Sequence, residues 1–123
     1  MDKSLLAELQ DPQAREAVAE ALLALFARWQ LHEVNQAQLL GLSSVVDFKQ
    51  KILLANADTM TRAGYLLAID RALLKHFPHQ SAKRDRWVFS ANEQLDGLTP
   101  LSIMLEKALP GLAVIKALAE SGH

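Results

Sequence analysis

His76 and His79 stand three residues apart, a spacing that on a helix could serve a metal. Pro78 lies between them and no carboxylate is placed to complete a ligand set, so both are read as surface histidines and no metal is expected. The chain has no cysteine, which removes thiol nucleophiles, disulfides and thiolate metal sites. Glu16 and Glu20 fall on one face at i, i+4, but beside Arg15 they read as a solvated surface. There is no glycine-rich phosphate loop, no His-Glu metalloprotease pattern and no nucleophile elbow. No catalytic residue and no cofactor is expected, and the chain is not expected to be an enzyme.

The remaining polar residues of interest recognise rather than react. Gln36-Ala37-Gln38-Leu39-Leu40-Gly41-Leu42-Ser43 has the form of a helix-turn-helix corner. Ala37 permits close helix contact, Gly41 permits the turn, and Leu40 and Leu42 anchor it. The following helix would expose Ser44, Asp47, Lys49, Gln50 and Lys51. Ser44, Lys49, Gln50 and Lys51 are the DNA-contact candidates, since lysine meets phosphates and glutamine reads base edges. Asp47 would face phosphates unfavourably, and a plain αα-corner in a bundle is the alternative reading.

The second recognition element runs from Ala91 to Leu101. Asn92 can close a turn, Gly97 can take a positive φ, and Thr99 can cap a helix that Pro100 begins. Such a corner is rigid and holds nothing able to attack, abstract a proton or bind a metal.

Helical elements must carry both. Alanine and leucine dominate and only four prolines and five glycines interrupt them, so the fold class is all-α, a small helical bundle. Asp11-Pro12 starts a first helix to about Leu31, with Val18, Ala21, Leu22, Leu25 and Trp29 on its apolar face. A short helix from Glu33 or Val34 to Leu40 is stopped by Gly41. Ser43 or Ser44 caps a third, whose apolar face is Val45, Phe48 and Ile52. Asp58 caps a fourth, lined by Leu66, Ile69, Leu73 and Phe77. Within it Gly64 costs about 1 kcal/mol relative to alanine; it serves a close approach by another helix or chain, or is neutral drift. Phe77-Pro78-His79-Gln80 is the internal boundary, dividing 1–78 from 79–123. Ser81 caps a short helix to about Phe89; Thr99-Pro100 opens another that Leu109-Pro110-Gly111 breaks; and Leu112, Ile115 and Leu118 face inward on the last. Trp29 and Trp87 are read as core anchors.

Half the residues are apolar, enough for a real core in 123 residues. Met1-Asp2-Lys3-Ser4 lacks a basic region leading into an apolar one, and no apolar run approaches the roughly 20 residues of a membrane span. A cytoplasmic location with no membrane partner is expected. The net charge of −1 argues against a dedicated nucleic-acid binder, but its distribution does not. Residues 1–47 carry three basic and seven acidic groups, residues 48–88 eight and three, and residues 89–123 two and four. A basic middle between acidic ends suits a phosphate backbone or an acidic partner, or is simply a lysine-rich solvated surface.

The ordered series of the Arg62-to-Leu73 helix, Phe77, Trp87, Asn92, Gly97, Pro100-Leu101 and Gly111-Leu112 resembles the MbcA/ParS/Xre antitoxin family over about residues 20 to 120. Asp70 stands where that family commonly has an aromatic or basic residue, and Arg71 is retained. The resemblance implies an Xre-like helix-turn-helix domain (1–78) followed by an antitoxin toxin-binding module (79–123). It implies a type II antitoxin whose C-terminal module occludes the active site of a RES-type, NAD-consuming toxin. The N-terminal half would dimerise and bind the promoter of its own operon. Asn92, Gly97, Thr99, Pro100, Ser102, Glu106 and Lys107 would then form the toxin-binding surface, with Ser102, Glu106 and Lys107 exposed on the helix after the corner. The runner-up is a DNA-binding transcriptional regulator whose C-terminal module serves only dimerisation; a bundle that binds some unrelated protein is the third reading.

The apolar content, with Gly64 and Tyr65 on the central helix, leads to the expectation of a homodimer or a larger assembly. Light scattering at micromolar concentration should report a species heavier than one chain; a purely monomeric solution contradicts it.

Overall fold

A computed structural model of the chain describes residues 11–43 and 47–123. It is all-α among these residues: α1 (Pro12–Trp29), α2 (Glu33–Leu40), α3 (Phe48–Leu53), α4 (Ala57–His76), α5 (Ser81–Arg86) and α6 (Pro100–Ser121). Single-turn 3-10 helices at Trp87–Phe89 and Glu93–Leu95 join α5 to α6. Among the described residues no helix is long and apolar enough to cross a membrane.

α1 starts where a side chain can satisfy its orphan donors. Asp11 accepts from the Gln13 N–H at 3.1 Å, and Pro12 occupies the first turn. The helix ends two residues before Leu31, because Gln30 turns left-handed (φ 55°) and sends its N–H back to Ala27. Its buried stripe is Ala19, Leu22, Leu25, Phe26 and Trp29. Ala21, expected on this face, is exposed. It lies one residue, about 100°, round from Leu22, and Phe26 fills the stripe instead.

Gly41 ends α2 at φ 71°, as its position in the sequence implies. The start of α3 differs from expectation. Asp47, left-handed at φ 52°, precedes the helix without a side-chain cap, and Ser43 stands exposed outside it. Ser44 and Val45, candidates for the cap and for the apolar face, lie outside the described residues. Ile52 is buried and Phe48 half-buried, so the rest of that face holds. The end of α3 is tied down from a distance: one Arg15 guanidinium nitrogen donates to the carbonyls of Leu53 (3.1 Å) and Ala55 (2.7 Å). A cation on the last carbonyls of a helix complements its dipole.

The cap of α4 is Asn56, not Asp58. The Asn56 side-chain oxygen accepts from the Thr59 N–H at 3.0 Å, and Asp58, now inside the first turn, pairs with Arg62 at 3.0 Å. Asparagine two residues earlier reaches the free N–H groups first, and the aspartate is left to complement the dipole and its i+4 partner. Likewise Gln80 precedes α5 and Ser81 is its first helical residue, with no side-chain cap. α5 stops at Arg86, and Trp87–Phe89 tightens into the 3-10 turn that was expected to be its last turn.

α4 is the centre of the fold. Met60, Ala63, Leu66, Ile69, Ala72 and Leu73 are buried on it, against α6 on one side and α1 and α2 on the other. The same cluster takes in Trp29 and Leu22 from α1, Leu39 and Leu40 from α2, Ile52 from α3, Trp87 and Val88, and Met104, Leu112 and Ile115 from α6. Residues on both sides of the Phe77-Pro78 turn therefore pack into one core. Both tryptophans anchor it, at 1% (Trp29) and 6% (Trp87) exposure. Gly64 is exposed, and a Cβ there would meet nothing within 4 Å, so packing inside the chain does not call for a glycine.

Leu109-Pro110-Gly111 produces a kink in place of a stop. Ala108 takes φ 55°, ψ −133°, and the chain resumes its helix to Ser121. Gly111 is required at the joint: a Cβ there would lie 2.5 Å from the Ile103 carbonyl oxygen and 2.8 Å from the Lys107 Cβ. Beyond the joint Leu112, Ile115 and Ala119 are buried, while Leu118 is half-buried.

Leu66 is fully buried, so Leu66→Ala should cost about 2–5 kcal/mol of unfolding free energy. Leu74→Ala, at a position 53% exposed on the same helix, should change stability by less than about 0.5 kcal/mol. Urea denaturation of the two variants checks both; similar losses would contradict the assigned face of α4.

Candidate functional site

The corner between Ala91 and Leu101 is closed by its own backbone and one asparagine. The Asn92 N–H donates to the Leu98 carbonyl at 3.0 Å, and the Asn92 carbonyl accepts from Leu95 and Gly97, each at 3.0 Å. The Asn92 side-chain oxygen accepts from the Gln94 N–H at 2.9 Å, capping the short 3-10 turn. Its amide nitrogen donates to the His123 carbonyl at 3.1 Å, fastening the end of α6 to the corner. Asp96 (φ 55°) and Gly97 (φ 86°) are both left-handed, and together they reverse the chain. The Thr99 hydroxyl oxygen then accepts from the Ser102 N–H at 3.2 Å, with Pro100 at the first helical position. The roles read from the sequence for Asn92, Gly97 and Thr99 are the ones these residues perform.

The exposed surface differs in part from the expected one. Pro100 and Leu101 are buried, so Pro100 shapes the corner from beneath. Ser102 is half-buried, not exposed, and its hydroxyl donates to the Thr99 carbonyl at 2.7 Å. That bond draws it toward the helix start, away from solvent. Glu106 and Lys107 are exposed as expected, 3.7 Å apart. The sequence reading missed Leu98, which is 51% exposed at the crest of the corner, and the exposed acids Glu93 and Asp96 beside it. A leucine between the turn glycine and the cap threonine was the available signal, since neither neighbour offers it a core.

The helix-turn-helix segment places its anchors as expected: Ala37 and Leu40 are buried and Leu42 is half-buried. The helix in the recognition position has only six residues, about 9 Å of axis. Gln50 is exposed and Lys51 half-buried, and both line a concavity of about 500 Å³ whose wall includes Leu54, 82% exposed. Lys49 is committed elsewhere, with its ammonium 2.7 Å from Glu16 and 3.6 Å from Glu20. The hydrogen bond that Lys49 donates to Glu16 holds the Lys49 pKa above its ordinary value, and that bond also holds the Glu16 carboxyl below its own. The two glutamates read as solvated surface therefore form a tertiary contact between α1 and α3. Ser44, the fourth DNA-contact candidate, lies outside the described residues. His76, one of the histidine pair, has its Nε2 3.0 Å from the Glu120 carbonyl oxygen.

A second ionic contact orders the opposite side of α1. Arg28 meets both carboxylate oxygens of Asp70, at 3.1 and 2.8 Å, and approaches Asp85 at 3.6 Å. Hydrogen bonding to Asp70 raises the Arg28 pKa, against a smaller opposing effect of burial.

No model of a known protein family matches this chain, and no curated protein does.

Glu16, with its folded pKa lowered, contributes stability that is present above the ordinary glutamate range and lost as pH falls through the folded value. An NMR titration should place its midpoint below the ordinary glutamate value, and Lys49→Ala should bring it back up. An unchanged midpoint in the variant would remove the ion pair.

Proposed function

We propose that this chain is an antitoxin that neutralises a partner protein by covering it, and that the corner from Ala91 to Leu101, with the exposed Glu106 and Lys107 of α6, is the covering surface. In keeping with the family resemblance, the partner is a RES-type, NAD-consuming toxin whose active-site cleft the corner occludes. The observation that carries this reading is the corner's construction. Its turn is closed by internal hydrogen bonds, and buried residues on either side, Val88 and Leu101, hold it from the core. A surface ordered before binding loses little entropy on docking. Leu98 supplies exposed apolar area, and Glu93, Asp96, Glu106 and Lys107 supply exposed charge on the same segment of chain, the ingredients of an apolar contact with a polar rim. Occlusion needs no catalytic group.

Autoregulation by DNA binding is the second reading. Gln50 and Lys51 support it, because both stand at an exposed concavity beside the Gly41 turn. Lys49 adds little to it, since Glu16 and Glu20 already balance its charge.

Gly97→Val tests the first reading. A side chain at position 97 has open space within 4 Å, so the substitution acts through the backbone at φ 86°. Holding a β-branched residue there costs about 1–2 kcal/mol, and the corner is expected to change shape to relieve it. Co-expressed with the product of the adjacent gene, Gly97→Val should fail to protect cells while circular dichroism retains the helical spectrum. The Lys49→Ala, Lys51→Ala double variant should protect normally and lose promoter binding, if any, in a gel-shift assay. Protection by the first and failure of the second would reverse the roles of the two segments.

A further inference from the structure

Independently of the corner, the structure assigns a phosphate-binding site to the groove between α4 and α6. One stripe of α4 faces it at helical spacing: Ala68, Arg71, Ala72, Lys75 and His76, at i, i+3, i+4, i+7 and i+8. The alanines leave a floor with no long side chain, and Arg71 and Lys75, four residues apart, rise from it as like charges. α6 supplies the far wall with Lys116 and Glu120. The groove encloses about 510 Å³, within the range of about 300–1,000 Å³ of small-molecule sites.

The charges do not cancel. Three permanent cations meet one carboxylate, and Glu120 is already held by Lys116 at 2.7 Å. Arg71 and Lys75 are exposed and make no ion pair or hydrogen bond among the described residues. This sets them apart from Arg15, Arg28, Lys49, Arg62 and Arg84, each of which is bonded within the fold. Two like charges on one helix face are mildly destabilising, so the pair stands in the free protein as an unsatisfied positive field.

The geometry points to a compact anion. A di- or triphosphate group concentrates several negative charges within a few ångströms, which matches an unpaired guanidinium and an unpaired ammonium one turn apart, with Lys116 opposite neutralising the one carboxylate of the groove. Arginine meets phosphate oxygens through two parallel donors, and lysine adds a point charge. An acidic peptide would need consecutive carboxylates bent into the same concavity, and a duplex presents its phosphates along a convex ridge that would touch the rim only. The ligand class is therefore a small molecule bearing a di- or triphosphate.

Isothermal titration of the full chain with inorganic triphosphate tests this. Saturable binding of one anion per chain is expected, weakening as salt rises. Arg71→Ala with Lys75→Ala should weaken it by at least about tenfold, the loss of two charge-assisted contacts. Lys116→Ala should weaken it too, because Glu120 is then uncompensated. The Lys49→Ala, Lys51→Ala double variant, with lysines removed from the opposite part of the basic segment, should bind as the parent does. Circular dichroism should show all variants equally helical, since Arg71 and Lys75 are exposed. Absence of saturable binding, several anions per chain, or equal weakening by the Lys49 and Lys51 changes would overturn the site. Tighter binding of a polyglutamate peptide or a short DNA duplex through Arg71 and Lys75 would overturn the assignment to a compact phosphate.

Discussion

Burial of α4 governs the rest of this molecule. Leu66, Ile69 and Leu73 place their side chains between α6 and the pair α1–α2, and each is shielded almost fully from water. Each such side chain contributes about 1.5–3 kcal/mol, whereas the partly exposed Arg28–Asp70 bridge contributes at most about 1 kcal/mol. Apolar packing therefore holds the helices together. The ionic contacts, Arg28 to Asp70 and Lys49 to Glu16, select how α1 is rotated and where α3 sits. Asp70 on α4 is accordingly an ionic partner of α1 in this chain.

The corner before α6 inherits its shape from that core. Trp87 and Val88 fix where the chain enters, and Pro100 and Leu101 fix where it leaves. Between them the path is too short to wander, and Asn92 uses backbone and side-chain groups together to close it. Two consecutive left-handed residues, Asp96 and Gly97, are sustained by these surroundings. A surface of this type is defined by backbone geometry more than by side-chain identity.

The sequence disclosed the parts of this fold whose causes are local. Asp11-Pro12, Gly41, Gly97 and Thr99-Pro100 each combine a side chain and a backbone preference within a few residues, and each does in the structure what it does in peptides. The all-α class and the buried side of α4 followed from composition and period. Errors arose where two local candidates competed, as with Asn56 and Asp58, or where a non-glycine residue was forced left-handed by its context, as with Gln30, Asp47, Asp96 and Ala108. The engagement of Lys49 by Glu16, and the grouping of Arg71 and Lys75 with Lys116, join segments far apart in the chain, so no spacing rule reveals them. For the candidate corner the hydrogen-bonding roles were legible, but which side chains face water was not, because Pro100 is buried in the packed structure and Ser102 turns its hydroxyl back to Thr99.

The joint at Ala108 gives α6 the character of two rods rather than one. An alanine at φ 55°, ψ −133° holds about 1–3 kcal/mol of backbone strain, which the packing of Met104 before it and Leu112 after it sustains. Cooperative opening of a helix propagates along an unbroken ladder of hydrogen bonds, and the ladder is interrupted here. The N-terminal rod continues from the corner and gives Leu101 and Met104 to the core, and the C-terminal rod gives it Leu112, Ile115 and Ala119. A substitution in one rod is then not transmitted along the helix axis to the other, because Ala108 and Pro110 break the ladder between them.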